Sequence, residues 1–293
     1  MDQWAEWVWI NGRLLRSVEA VVSVFDRGFL LGDGLFETLR ATAGRLFRPE
    51  RHLARLQRGA ALLGLALPGE VDEILDALRE TLGVNHLDDA ALRLTVSRGA
   101  SPGGLGTAGA GPAIGVIAAR PFHGYPDHWY DPGATAIISQ VIKNEQSCLC
   151  GIKHTSWLEH VLARAEAAAQ GADEALLRNT RGDLVEGSGT NLFAVIGGQV
   201  LTPGLRSGCL PGVTREAVLE LAGAMGLQVR EEALPPAALT TAAEAFLTNS
   251  LLGVAPLVGL EGRDIGDGRP GSITRELAQR YQELVVTPST RGR

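Results

Sequence analysis

Apolar and polar positions divide the chain into strand-like and helix-like stretches. EWVWIN, residues 6–11, followed by Gly12, predicts a strand entering a hairpin, with the returning strand near residues 19–25. The glycine-rich FLLGDGLFETLRATAGRLF, residues 29–47, predicts strand, turn and strand. Leu53, Leu56, Ala60 and Leu63 then recur at helical spacing, and Val71, Ile74, Leu75, Leu78 and Leu82 repeat the pattern up to Gly83. Leu92, Leu94 and Val96 alternate with Arg93, Thr95 and Ser97, as in a strand with two unlike faces. The run SPGGLGTAGAGP, residues 101–112, predicts a mobile loop ahead of the strand-like AIGVIAA.

RPFHGYPDHWYDPGA, residues 120–134, carries three prolines and marks a boundary. The expected organisation is an N-terminal α+β domain over 1–119, an interdomain loop over 120–133 and a C-terminal domain over 134–293. In the latter, Leu158, Val161, Leu162 and Ala165 follow the i, i+3, i+4, i+7 rule and predict a helix ending near Gly171. EALLRNTRGDLVEGSGTNLFAVIGGQVLTP predicts short strands joined by turns at RGD and GG. LPGVTREAVLELAGAMG predicts a second helix, with Thr214 near its start and Gly226 near its end. The class is α/β, more narrowly α+β.

Composition keeps this picture within ordinary globular proteins: 293 residues, 45% hydrophobic and 20% charged, suit two domains. A net charge of -6 argues against nucleic acid as a partner. The start, MDQWAEWVWINGRLL, has acidic residues and no basic stretch ahead of an apolar run, so it does not match a secretory leader. No uninterrupted apolar stretch is long enough to cross a bilayer, and the expected location is the cytoplasm. Cys148, Cys150 and Cys209 form neither an even disulfide set nor a CxxC pair, and are expected to be reduced and structural with no metal site.

The chemistry begins with lysine. Of 27 basic residues only Lys143 and Lys153 are lysines. An arginine does not lose its proton, whereas a lysine can be desolvated to a free amine and form a Schiff base. Lys153 stands ahead of the predicted helix, while Lys143, in IKNEQS, is expected to be solvated. If Lys153 is a Schiff-base residue, a pyridoxal phosphate site also needs a carboxylate for the ring nitrogen and a phosphate cradle. Glu186 lies beside Gly187 and Gly189 in LVEGSGTNLF, and the amides of Val213 and Thr214 open a helix after Pro211 and Gly212. Ser250 adds a hydroxyl and Arg55 a fixed charge. Taken singly, each has an ordinary use as a cap, a turn residue or a wet helix face; their order in one chain gives them weight.

That order, GIKH, LExVLARAEA, GADEALL, LVEGSGTNLFAV, LTPGL and GCLPGVTRE, with LGDGLFETLR and HLARL upstream, closely resembles the class IV aminotransferases, the fold-type IV pyridoxal phosphate enzymes. The resemblance covers nearly the whole chain. It implies two α/β domains with pyridoxal 5'-phosphate between them, in a homodimer whose partner lends a loop. It implies Lys153 as Schiff-base residue and proton carrier, and Glu186 as partner of the ring nitrogen. Arg55, Val213, Thr214 and Ser250 would hold the phosphate, Leu210 would pack on the ring, and Asn191 would belong to the cofactor site. Phe36, Thr38, Arg40, Arg98 and Trp157 are the implied substrate contacts, with Arg93 a further candidate for a carboxylate.

The family spans branched-chain and D-amino-acid aminotransferases, amine transaminases and 4-amino-4-deoxychorismate lyase. KHxxxLExVLAR, SRGxxxGGxG at 97–106 and NSLLGVAP at 249–256 look like the lyase, a folate-synthesis enzyme that releases p-aminobenzoate and pyruvate. EGSGTNLF and LPGVTR look equally like the transaminases. The loop at 100–107 lacks the arginine that the lyase and D-amino-acid enzymes tend to carry there. Only three tyrosines, and Trp157 where a tyrosine is expected, weigh against a branched-chain enzyme. The lyase is the first expectation, and a transaminase of branched-chain amino acids, D-amino acids or amines the second. A non-catalytic cofactor-binding or structural relative is the third, disfavoured by the presence of both Lys153 and Glu186.

Overall fold

The computed structural model describes residues 4–287. The first three residues of MDQWAEWVWINGRLL, and the last six of the expected second domain, lie outside them. Two units divide the chain: one runs up to His123 and includes Ile152–Ser156, and the other comprises Gly124–Gly151 and the chain from Trp157 onward.

The first unit begins with the hairpin β1 (Trp7–Ile10) and β2 (Arg13–Arg16). Asn11 and Gly12, at φ 44° and 83°, form a two-residue turn that pairs Ile10 directly with Arg13. The returning strand therefore starts at once, and residues 19–25 hold none. Residues 29–47 also differ from expectation. Asp26 caps Phe29 N–H and opens the short helix α1 (Arg27–Leu31), which Gly32 ends in the left-handed region. β3 (Gly34–Thr42) follows and turns at Ala43–Gly44 into β4 (Arg45–Leu46). The periodic segments become α2 (Pro49–Leu63) and α3 (Val71–Val84), before β5 (Ala90–Ser97) and β6 (Ile114–Pro121). The sheet is antiparallel throughout, in the order β2-β1-β6-β5-β3-β4. Leu53, Leu56, Ala60, Ile74 and Leu78 from the helices share a core with Leu39, Leu92, Leu94 and Ile117 from the sheet.

The second unit is built on a nine-stranded mixed sheet. Its strands and helices, in chain order, are β7 (Ala134–Lys143), α4 (Leu158–Ala169), β8 (Glu174–Asn179), β9 (Leu184–Gly187), β10 (Asn191–Ile196), β11 (Gln199–Pro203), α5 (Val213–Ala224), β12 (Val229–Glu232), α6 (Pro236–Thr240), β13 (Glu244–Asn249), β14 (Gly253–Leu260), β15 (Arg263–Asp264) and α7 (Ser272–Val286). The order is β12-β11-β10-β13-β14-β7-β8-β9, with β15 on β14. The turns at RGD and GG join β8 to β9 and β10 to β11, as expected.

The helix α4 forms where its periodicity places it, but the stripe faces outward. Ala163 and Ala167 pack on Ile137, Ala175 and Leu177, while Leu158, Val161 and Leu162 are exposed. Two alanines bring the helix close to the sheet; the larger residues lie on the opposite side. Among the described residues no helix is long and apolar enough to cross a membrane, and all three cysteines are free.

Candidate active site

In the first unit, alternation along β3 gives its two faces different work. Leu35, Glu37 and Leu39 point toward α2, and Phe36, Thr38 and Arg40 lie on the opposite face. Antiparallel pairing sets Thr38 opposite Arg93 and Phe36 opposite Thr95, so Arg93 shares the face of Phe36. Its guanidinium carbon lies 3.4 Å from the Phe36 ring centroid, and its Nε donates to Thr95 Oγ1 at 3.2 Å. No carboxylate forms an ion pair with Arg93 among the described residues. Burial pulls its pKa down to about 10 against the pull of the Glu37 charge.

Residues 152–156 belong to this unit because their main chain is sewn to the start of β3. Phe36 N–H donates to the Lys153 carbonyl at 2.8 Å and Thr155 N–H to the Gly34 carbonyl at 2.9 Å. Thr155 Oγ1 donates to Gly32 O at 2.7 Å, and Ile152 enters the core. The half-buried Lys153 thereby has its Nζ 4.3 Å from the Phe36 ring centroid. Arg93 and Lys153 are two cations over one aromatic ring.

On the helix side, Arg55 is not a wet residue but is buried, and Glu37 holds it in a fork: Nε to Oε1 at 2.8 Å and one terminal nitrogen to Oε2 at 2.6 Å. His52 Nδ1 meets the same Oε2 at 2.8 Å. Burial pushes the Glu37 carboxyl up, but Arg55 and His52 outweigh it and bring it down to about 2. Burial holds His52 below its ordinary pKa, more strongly than Glu37 lifts it.

Arg98 is engaged elsewhere. Its Nε donates to Asp33 Oδ2 at 2.8 Å, and its terminal nitrogens donate to the carbonyls of Gly64 and Leu63 at 2.7 and 2.8 Å, closing the end of α2. The buried Arg27 meets the same Asp33 oxygen at 2.7 Å and donates to the carbonyls of Gly104, Leu105 and Gly106 at 2.9–3.1 Å. The glycine-rich loop expected to be mobile is thus gripped through its main chain. Burial raises the Asp33 carboxyl, but the bonds from Arg98 and Arg27 outweigh it and hold its pKa below the ordinary value. Half-buried Arg40 has its guanidinium carbon 5.6 Å from the Phe122 ring centroid.

In the second unit Glu186 is buried on β9 and accepts from two sides: Lys143 Nζ at Oε1 and Leu210 N–H at Oε2, the latter at 2.8 Å. Burial pushes its pKa up, yet Lys143, His160 and the Leu210 amide together hold it below the ordinary carboxylate value. Lys143, expected to be solvated, is buried at the end of β7 and ion-paired, a correction that follows from alternation: exposed Ile142 leaves its neighbour facing inward.

Asn191 Nδ2 donates to the Leu210 carbonyl at 2.9 Å, so LPG is held at both the N–H and the C=O of Leu210. A Cβ on Gly212 would stand 2.0 Å from Asn191 Oδ1. Gly212 then caps α5, whose first residues Val213 and Thr214 are buried, and Thr214 Oγ1 lies 3.2 Å from the Tyr281 hydroxyl. First-turn amides have no partner within their own helix and suit an anion. Half-buried Ser250 follows Asn249, whose Oδ1 accepts from the amides of Leu251 and Leu252 and whose Nδ2 donates to Gly189 O. Trp157 stacks on His160 at 3.9 Å, and His160 Nδ1 donates to Ser188 O at 3.0 Å. Glu174 organises the turn after Glu186, accepting from Ser188 N and Oγ and from Thr190 Oγ1. Its motif, GADEALL, was visible in the sequence; its role depends on residues fourteen to sixteen positions away.

The sequence model of the family described as amino-transferase class IV matches residues 34–259. A putative branched-chain-amino-acid aminotransferase of Methanocaldococcus jannaschii is 36% identical over 279 residues, 94% of this chain and 96% of that protein. The crystal structure of the T.th. branched-chain amino acid aminotransferase complexed with N-(5'-phosphopyridoxyl)-L-glutamate is similar at a TM-score of 0.90 and 30% identity, covering 96% of this chain and 94% of that one. The crystal structure of 4-amino-4-deoxychorismate lyase from Pseudomonas aeruginosa is similar at a TM-score of 0.85 and 33% identity, covering 94% of this chain and 98% of that one.

Proposed function

Since the chain belongs to the class IV aminotransferases, we propose that it is a pyridoxal phosphate-dependent aminotransferase that takes the amino group from a branched-chain amino acid and delivers it to a keto acid. The observation that carries a carboxylate-bearing substrate is Arg93: a largely enclosed guanidinium with no acidic ion-pair partner among the described residues, over the same ring as the Lys153 amine. A carboxylate-bearing substrate supplies the missing partner, and every α-amino acid and keto acid carries one.

The donor set fits the cofactor. Lys153 offers an amine, Glu186 a buried carboxylate held ionised, Arg55 a guanidinium whose plane Glu37 fixes, and α5 its first-turn amides. When bound, pyridoxal phosphate supplies a protonated ring that stabilises negative charge at the substrate Cα. Lys153 would hold the cofactor through its amine and would move the proton at the substrate Cα. Glu186 accepts the ring N–H. Arg55, the amides of Val213 and Thr214, and the hydroxyls of Thr214 and Ser250 hold the phosphate. Leu210 packs on the ring, with Asn191 fixing its carbonyl. Phe36, Thr38, Arg93 and Trp157 line the substrate side; Arg98 does not, because its guanidinium closes α2 and pairs with Asp33.

The lyase, the first expectation from sequence, retains a likeness to a solved lyase. The Methanocaldococcus jannaschii relative is nevertheless 36% identical against 33% for the lyase, and the branched-chain structure, less identical at 30%, has the higher TM-score, 0.90 against 0.85. That likeness outweighs the shortage of tyrosines. A homodimer belongs to the proposal as well: Val18, Val21, Val24, Phe25 and Phe29 are exposed on the first unit, and Leu158, Val161 and Leu162 on the second.

The experiment is to supply the cofactor-loaded protein with L-leucine and 2-oxoglutarate, and separately with D-alanine and with aminodeoxychorismate. Equimolar 4-methyl-2-oxopentanoate and glutamate from the first mixture alone is the expected result. Release of p-aminobenzoate and pyruvate without any keto acid would replace this reading with the lyase.

A further inference from the structure

The ion pair between Lys143 and Glu186 gives the second lysine a use. Both residues are buried in the same unit, on strands separated by β8, which pairs Asn179 with Lys143 and Leu177 with Glu186. A carboxylate has about four acceptor positions. Lys143 occupies one on Oε1 and the Leu210 amide one on Oε2, so Glu186 is fixed from two directions and still has acceptor capacity for one more N–H donor. An enclosed carboxylate without a nearby cation takes up a proton and becomes a poor partner for a cationic ring nitrogen.

We propose that Lys143 is a positioning residue for the ring-nitrogen site: by pairing with Glu186 it keeps that carboxylate ionised and in a single orientation, and through it keeps the cofactor ring nitrogen protonated. The proposal rests on the assignment of Glu186 to the ring nitrogen. The direction of the charge balance agrees. Burial lowers the pKa of Lys143, but Glu186 outweighs it, so the ammonium is stabilised in its charged form. The other groups acting on the pair are His160 on α4, Cys150 on the stretch after β7 and Cys209 ahead of α5. Burial lifts both thiols, Cys209 to about 12, which keeps them neutral and leaves Lys143 and His160 as the groups able to bring positive charge to Glu186. An amine held in its charged form by an ion pair is a poor nucleophile, which separates this lysine's task from that of Lys153.

The test uses holoenzyme and a double-mutant cycle of Lys143→Met, Glu186→Gln and the pair, read by the pH titration of the visible band of the bound cofactor and by kcat. Lys143→Met is expected to move the titration midpoint by about one pH unit and lower kcat about tenfold. In the Glu186→Gln background the same change is expected to have no further effect, and Lys143→Arg, which keeps the charge, to return most of the wild-type titration. Should Lys143→Met fail to fold, the neutral double variant against Glu186→Gln, together with Lys143→Arg, still decides the matter. If Glu186→Gln leaves the band unchanged, the ring-nitrogen assignment itself fails. If Glu186→Gln moves the band but Lys143→Met does not, or the two effects simply add, the role given to Lys143 is wrong.

Discussion

Glu37 and Glu186 are both enclosed carboxylates kept ionised by neighbours, but one faces an arginine and a histidine and the other a lysine. The Glu37 cluster has a consequence in acid. In the unfolded chain Glu37 takes up its proton near pH 4.5 and His52 near 6.5, whereas the folded protein keeps both unprotonated below those values. The unfolded state therefore binds more protons, and stability falls as pH drops below 6.5 and again from 4.5 toward 2. Glu37 alone accounts for on the order of 3 kcal/mol at neutral pH. Denaturant titrations from pH 7 to 3 should show this loss, and Glu37→Gln should flatten its lower part; an unchanged slope would mean that the cluster is not coupled to folding. At this scale Lys153 and Glu186 were legible as unusual residues in a telling order. The burial of Lys143 and Arg55 was not, because it depends on partners distant in sequence: Glu186 for Lys143 and Glu37 for Arg55.

Elements carried more of the message when their signals were local. The spacing of leucines found α2 and α3, and the RGD and GG turns found the later hairpins. The first hairpin was misjudged because Asn11–Gly12 is itself the whole turn, and α4 was found with its faces unassigned because apolar spacing does not say which side meets a sheet. The LPG turn allows a sharp test. Gly212 has an ordinary φ of −69°, so alanine there meets no backbone strain, and its nearest clash is with Asn191 Oδ1. That oxygen cannot swing away without breaking the 2.9 Å bond from Asn191 Nδ2 to Leu210 O. Gly212→Ala should weaken cofactor retention about tenfold or more, measured by dialysis of the holoenzyme, with far-UV circular dichroism unchanged. Undiminished retention would remove the turn from the cofactor site.

For the whole molecule, composition and the proline-rich stretch after residue 119 indicated two units, and the structure divides the chain close to that stretch. What sequence order concealed is that Ile152–Ser156, with Lys153, returns to the first unit; main-chain bonds to β3 leave no side-chain pattern to read. Assembly is the property of this scale. Val161 is exposed by 57% and sits between Leu158 and Leu162 on an apolar face. In the proposed homodimer, Val161→Arg should shift the sedimentation coefficient from dimer to monomer while leaving the far-UV spectrum intact. A wild-type protein that sediments as a monomer would refute the assembly.

The Arg27 grip on Gly104, Leu105 and Gly106 takes hold of carbonyl oxygens alone. Every amino acid carries that oxygen, so the hold is indifferent to the side chain at position 105, whose leucine already projects into solvent with 83% of its surface open. The loop is therefore a fixed rail with an interchangeable tip. A mutational library at residue 105 would vary size, charge and polarity against a constant backbone, giving protein engineers a place to change the surface separately from folding.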